Sequence, residues 1–111
     1  MFDLRIVLKQ IAIVYKQCEC SYSQSEVIYF FELFFELYKK YRGINHPYMK
    51  NETIKNIITK IPNDNLFEYQ LEDYEVIIPQ YFKTEFTNCD YSINHFMSGN
   101  IRQMRYYEVC Y

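Results

Sequence analysis

The positions of apolar side chains divide the chain into a succession of helical stripes. Over residues 2–17, Leu4, Val7, Leu8, Ile11, Val14 and Tyr15 recur at intervals of three and four, while Arg5, Lys9 and Lys16 fall off the stripe. The β-branched residues here would also suit a buried strand. The stretch is too long for one and carries no turn signal, so it predicts a helix. Cys18 to Tyr22 is a connector. Ser23-Gln24-Ser25-Glu26 then has the form of a capping box, in which hydroxyl and carboxylate each take the other residue's backbone N–H. The helix it opens is expected to reach Arg42, with Gly43 as a left-handed terminator and Lys39, Lys40 and Arg42 at the negative end of its dipole.

This second helix is apolar around most of its circumference, from Val27 through Phe30, Phe31, Phe34 and Phe35 to Tyr41. Glu32, Glu36, Lys39 and Lys40 leave it one narrow wet strip. Such a helix is either central in a bundle or the seam of a homodimer through residues 24–42, and the central position is preferred. Asn51 is expected to cap a helix over 52–61 that turns Ile54, Ile57, Ile58 and Ile61 to one side and stops at Pro62. In 66–87, Leu71, Tyr74, Ile78, Phe82 and Phe86 form a helical stripe, with Pro79 kinking the helix or starting another. The alternative is an α+β fold with a short hairpin at 66–78, pairing Phe67–Leu71 with Tyr74–Ile78. Asp90 is expected to cap a short helix over 91–97, and Asn100 a last one over 101–110. In that last helix Ile101 and Met104 should look inward with Tyr106 or Tyr107. The expectation is a single mostly-α domain spanning 1–111, a compact bundle of about five helices around a central aromatic-rich one.

Composition adds an unusual aromatic load: Tyr 13 and Phe 9 among 111 residues, with no Trp. A core of this size cannot hide thirteen tyrosines with every hydroxyl satisfied, so some should be exposed, notably among Tyr48, Tyr69, Tyr91, Tyr106 and Tyr111. The prevalence of Ile, Tyr, Lys, Asn and Phe over Ala, Gly, Pro and Arg points to a very AT-rich gene. Charge is uneven although the net is only −2. Residues 1–60 carry nine Lys/Arg against six Asp/Glu, whereas 61–90 carry Lys83 alone against seven acids. A chain-wide basic footprint for nucleic acid is therefore missing. The start Met1-Phe2-Asp3 does not look like a signal peptide, and Glu32 and Glu36 interrupt the most apolar stretch, so a cytoplasmic protein without a membrane span is expected. Cys18, Cys20, Cys89 and Cys110 are then expected to be free thiols.

Candidate chemistry is sparse. Cys18-x-Cys20 lacks the spacing and the second pair of a structural zinc site, so no metal and no cofactor are expected. A Cys/His nucleophile would need one of four thiols beside His46 or His95, and no glycine-rich or hydrolase motif accompanies either. An enzyme is therefore not expected. Residues 91–110 have helix-turn-helix proportions, with Arg102, Gln103, Arg105 and Tyr106 as residues able to read a DNA groove. The competing expectation pairs both arginines with acids of 64–90 inside the monomer. Those acids, Asp64, Glu68, Glu72, Asp73, Glu75, Glu85 and Asp90, form a candidate partner-binding face together with Tyr69, Tyr74 and Tyr91.

The segment from Asn88-Cys89-Asp90-Tyr91 through Ser98-Gly99-Asn100-Ile101-Arg102 resembles small proteins carried by phages and mobile elements of low-GC bacteria. That pool includes acidic anti-CRISPR inhibitors, which block effector nucleases by binding them. The resemblance implies a host-defence inhibitor whose partner is a host protein, a nucleic-acid-binding effector being one such partner. No residue role is carried over. On this reading the acidic, Tyr-rich face would occlude a basic channel. The alternative is a small DNA-binding regulator acting through 91–110.

Overall fold

Ser23 begins the helix on which the architecture is built. Its hydroxyl accepts the Glu26 N–H, and its own N–H donates to the Glu26 carboxylate at 2.9 Å, so both halves of the capping box close. The helix ends at Gly43, where φ of +75° would strain any other residue. The computed structural model describes residues 2–64 and 67–110. Among these, six helices follow in order: α1 (Leu4–Tyr15), α2 (Gln24–Arg42), α3 (Asn51–Lys60), α4 (Leu71–Lys83), α5 (Ile93–Phe96) and α6 (Ile101–Cys110). The mostly-α bundle expected from periodicity is the fold. No helix of the described residues is long and apolar enough to cross a membrane.

Packing runs from α3 to α1, α1 to α2, α2 to α4, and α4 to α6. This order puts α2 in the middle, where Val27, Phe30, Phe31, Phe34, Phe35 and Tyr38 are buried. Its apolar circumference is thus used inside the chain. Ring contacts advance in the same sense along both partners, Phe30 on Tyr74, Phe34 on Tyr81 and Tyr38 on Phe82, so α2 and α4 run parallel. Their connection crosses back through α3, which buries Ile54, Ile57 and Ile58.

The alternative hairpin at 66–78 does not form. Tyr74–Ile78 lies in α4, and the pairing among the described residues is one isolated bridge between Asn63 and Glu68. Leu66, at the start of that span, lies outside the described residues. The helix expected over 66–87 is shorter, because the Asp73 carboxylate takes the Gln70 N–H and fixes the start at Leu71. α4 passes through Pro79 as one element. Two expected caps are also corrected. Ser92, not Asp90, caps α5, and Lys50 occupies the cap position of α3, while the Asn51 amide oxygen accepts from Gln10 at 2.7 Å.

The largest departure is the inner face of α6. Met104 is 44% exposed and Tyr107 is exposed, whereas Arg102 and Arg105 are the buried residues. The surface that α6 meets explains this. It presents the Lys60 carbonyl, the Tyr74 hydroxyl and the Tyr69 ring, which an arginine satisfies with donors and a flat face and a methionine cannot.

Candidate functional site

The seven acids of 64–90 divide by side-chain length. The three aspartates are folded into local structure: Asp64 accepts from the Tyr69 hydroxyl at 2.6 Å and the Phe67 N–H at 2.8 Å, Asp73 caps α4, and Asp90 accepts the Ser92 N–H. Hydrogen bonding to Ser92 holds the Asp90 carboxyl below its ordinary range. The four glutamates, Glu68, Glu72, Glu75 and Glu85, are exposed. The ion pairs between described residues are Arg5–Asp3 and Arg105–Glu108, so among the described residues none of these four meets a cationic side chain.

Parallel packing extends the acidic region beyond 64–90. Tyr29 on α2 donates to the Glu75 carboxylate at 2.9 Å, which joins Glu75 of α4 to the side of α2 that carries Glu32 and Glu36. Glu26, Glu72 and Asp73 lie in the first turns of two helices whose positive dipole ends point the same way. That end favours carboxylates, so the concentration of acids there has a structural cause as well. Tyr29, Glu32, Leu33 and Glu36 line a shallow depression on this side. None of the four was in the sequence-derived set, although Glu32 and Glu36 were visible as the wet strip of the second helix.

The tyrosine expectations need correction. Tyr69 and Tyr74 are 1% and 0% exposed, so neither can touch a partner. Tyr74 donates to the Ile61 carbonyl at 2.5 Å, and burial raises both phenols well above their ordinary range. Tyr91 is half-buried and closes a loop, donating to the Thr84 carbonyl while accepting the Phe86 N–H. The Arg42 guanidinium covers its ring. Tyr48 is exposed, Tyr106 is half-buried, and Tyr111 lies outside the described residues.

Of the four residues proposed to read DNA, the two arginines are turned into the fold. Arg102 is 2% exposed and donates to the Lys60 carbonyl at 2.6 Å and the Tyr74 hydroxyl at 3.0 Å. Arg105 is buried with Nε 2.5 Å from a Glu108 carboxylate oxygen, a contact that is ionic and not an aligned hydrogen bond. Gln103 donates to Tyr107 on the next turn, and the Tyr106 ring packs on Phe67. The expected pairing of both arginines with acids of 64–90 is corrected too. Arg105 takes Glu108 instead, and Arg102 binds a carbonyl and a phenol.

The two imidazoles have different surroundings. His46 is buried among Phe34, Phe35 and Tyr38. Its Nε2 accepts the Ile93 N–H at 3.0 Å and its Nδ1 donates to the Pro47 carbonyl at 2.8 Å, an arrangement that needs the neutral ring. Burial lowers its pKa from 6.5, outweighing the Pro47 carbonyl and Asp90, which raise it. Below 6.5 the unfolded chain therefore binds a proton that the native state resists, and stability falls with pH. The melting temperature should be level above pH 7 and drop between pH 6.5 and 5. His46→Gln keeps an acceptor for Ile93 without titrating, so thermal melts of that variant should show a flatter profile across the same range.

His95 meets a thiol. Its Nδ1 lies 3.2 Å from Cys89 Sγ and 2.8 Å from the Tyr81 hydroxyl, and the Tyr91 N–H donates to the same sulfur at 3.2 Å. Asn88 and Tyr91, on either side of Cys89-Asp90, both take left-handed backbone at φ +52° and +55°. The remaining cysteines are free thiols; Cys18 and Cys20 donate to the Val14 and Ile58 carbonyls, and burial raises both thiols. Among the described residues no group of three or more His, Cys, Asp or Glu side chains is arranged to hold a metal ion.

Comparison of the chain with protein-family models, with curated proteins and with solved structures returned no match.

Proposed function

We propose that this chain is a binding protein, an inhibitor of phage or mobile-element origin that engages a basic, nucleic-acid-handling host protein through the acidic face of α2 and α4. The observation that carries the reading is the set of exposed glutamates without cationic partners among the described residues. Carboxylates left solvated on a rigid pair of helices set up a negative field that attracts a basic groove at long range. Tyr29 adds a rigid aromatic at the centre of that face. A CRISPR effector channel is one groove of this kind. Direct DNA binding is less well supported, because Arg102 and Arg105 are occupied inside the fold.

The test is capture from nuclease-treated lysate of a bacterium carrying its own defence systems. A basic nucleic-acid-binding protein should be retained, should be released as salt rises, and should be displaced by a polyanion. Glu72→Lys with Glu75→Lys should reduce retention by at least tenfold, a loss of about 1.4 kcal/mol, while leaving the melting temperature within a few degrees. Retention that ignores both salt and the double substitution would remove this reading.

A further inference from the structure

We propose that Cys89 is a nucleophile, with His95 as its base, and a site of reversible oxidation by small hydroperoxides. Cys89 Sγ and the Tyr81 hydroxyl both lie within hydrogen-bonding distance of His95 Nδ1, at 3.2 Å and 2.8 Å, so in the tautomer with a bare Nδ1 the imidazole can take the thiol proton. The other acceptor near the phenol is the Ser92 carbonyl, at a long 3.4 Å. With the phenol donating to that carbonyl, Nδ1 is open to the thiol proton. As that proton leaves, the sulfur accepts from His95 Nδ1–H and from the Tyr91 N–H at 3.2 Å. Two donors on one sulfur stabilise the charge that develops on it.

The other thiols differ. Cys18 and Cys20 point at main-chain carbonyls, which favour the protonated form, and Cys110 is exposed at the end of α6. Cys89 is half-buried on a connecting loop, and the grooves lined by Phe2 and Phe35 or by Asp64 and Arg102 do not reach it. A small reagent suits that setting better than a shaped substrate. In the reaction, the sulfur attacks the hydroxyl oxygen of the hydroperoxide, forming S–O as O–O breaks. The departing alkoxide or hydroxide takes the proton from His95 Nδ1. Sulfur is oxidised to the sulfenic acid and the peroxide is reduced to alcohol or water. An external thiol then condenses with the sulfenic acid, releasing water and leaving a mixed disulfide that a second thiol reduces.

The experiment is timed alkylation of the folded full chain with iodoacetamide at pH 7, resolved by peptide mass for each cysteine. Cys89 should react at least about tenfold faster than the more exposed Cys110. His95→Asn should bring Cys89 down to the Cys110 rate without altering Cys110. A parallel exposure to hydrogen peroxide with dimedone should place the adduct on Cys89 first. Equal rates for Cys89 and Cys110 in the unaltered chain would overturn the proposal, as would an unchanged Cys89 rate in a folded His95→Asn variant. Should His95→Asn fail to fold, the comparison of the two cysteines within the unaltered chain decides alone.

Discussion

Phe34→Ala is expected to cost about 4 kcal/mol of folding stability. Phe34 is fully buried on the central helix, and its ring contacts Tyr38, His46, Tyr81, Phe82 and Phe96. Those neighbours come from α2, the loop before α3, α4 and α5, so the cavity left by truncation is walled by four separate parts of the chain. No one of them can collapse into it without pulling away from its other contacts. The residual void therefore adds a full cavity contribution to the lost transfer free energy. Urea denaturation should show a lower midpoint with an unchanged slope. Phe34→Leu, which retains much of the volume, should lose about 1.5 kcal/mol. A loss below about 2 kcal/mol for the alanine variant would show that the core closes around the gap.

Arg102→Ala is expected to cost about 3 kcal/mol, a large amount for a residue type usually found at the surface. Arg102 donates to the Lys60 carbonyl, one of the acceptors left over at the C-terminal end of α3, and to the Tyr74 hydroxyl, while its plane lies 4.9 Å from the Tyr69 ring centre. One side chain thus ties α6 to α3 and α4. Arg102→Lys should recover less than half of the loss, because an ammonium offers neither the fork nor the flat face. Arg102→Met keeps the volume but leaves the Lys60 carbonyl without its donor. It should fall between the other two in urea midpoint if the hydrogen bonds matter more than the packing. Equal stability of the methionine variant and the unaltered chain would show that the desolvated guanidinium contributes nothing net.

The legible parts of this molecule are those set by chemistry within a few residues. The start and stop of α2 follow from Ser23, Glu26 and Gly43, and both were readable because caps act over a single turn. The buried stripes of α1 and α3 followed equally from spacing. The inner face of α6 was not readable, since a two-letter apolar and polar pattern sends every arginine outward. What turns Arg102 inward is a carbonyl and a phenol supplied by α3 and α4, and nothing near Arg102 in sequence announces them.

The acidic face was half legible. Its existence followed from charge counting, but its membership depended on which carboxylates the backbone claimed. Within 64–90, Asp64, Asp73 and Asp90 accept nearby backbone N–H groups, whereas Glu72 and Glu75 stay exposed. The addition of Glu32 and Glu36 required knowing that α2 and α4 lie side by side. The meeting of Cys89 and His95 was one of several pairings the composition allowed. It was decided by left-handed backbone at Asn88 and Tyr91, neither of which is a glycine.

The parallel course of α2 and α4 also bears on how the protein folds in time. Two antiparallel helices joined by a tight turn can zip together as a local unit. Here the contacts that organise the centre, such as Phe30 with Tyr74, join residues roughly 45 positions apart. The entropy of closing that long loop is lost before any of those ring contacts form, and the intervening α3 must already be travelling back across α1. The chain is therefore expected to fold more slowly than an antiparallel helical bundle of the same length.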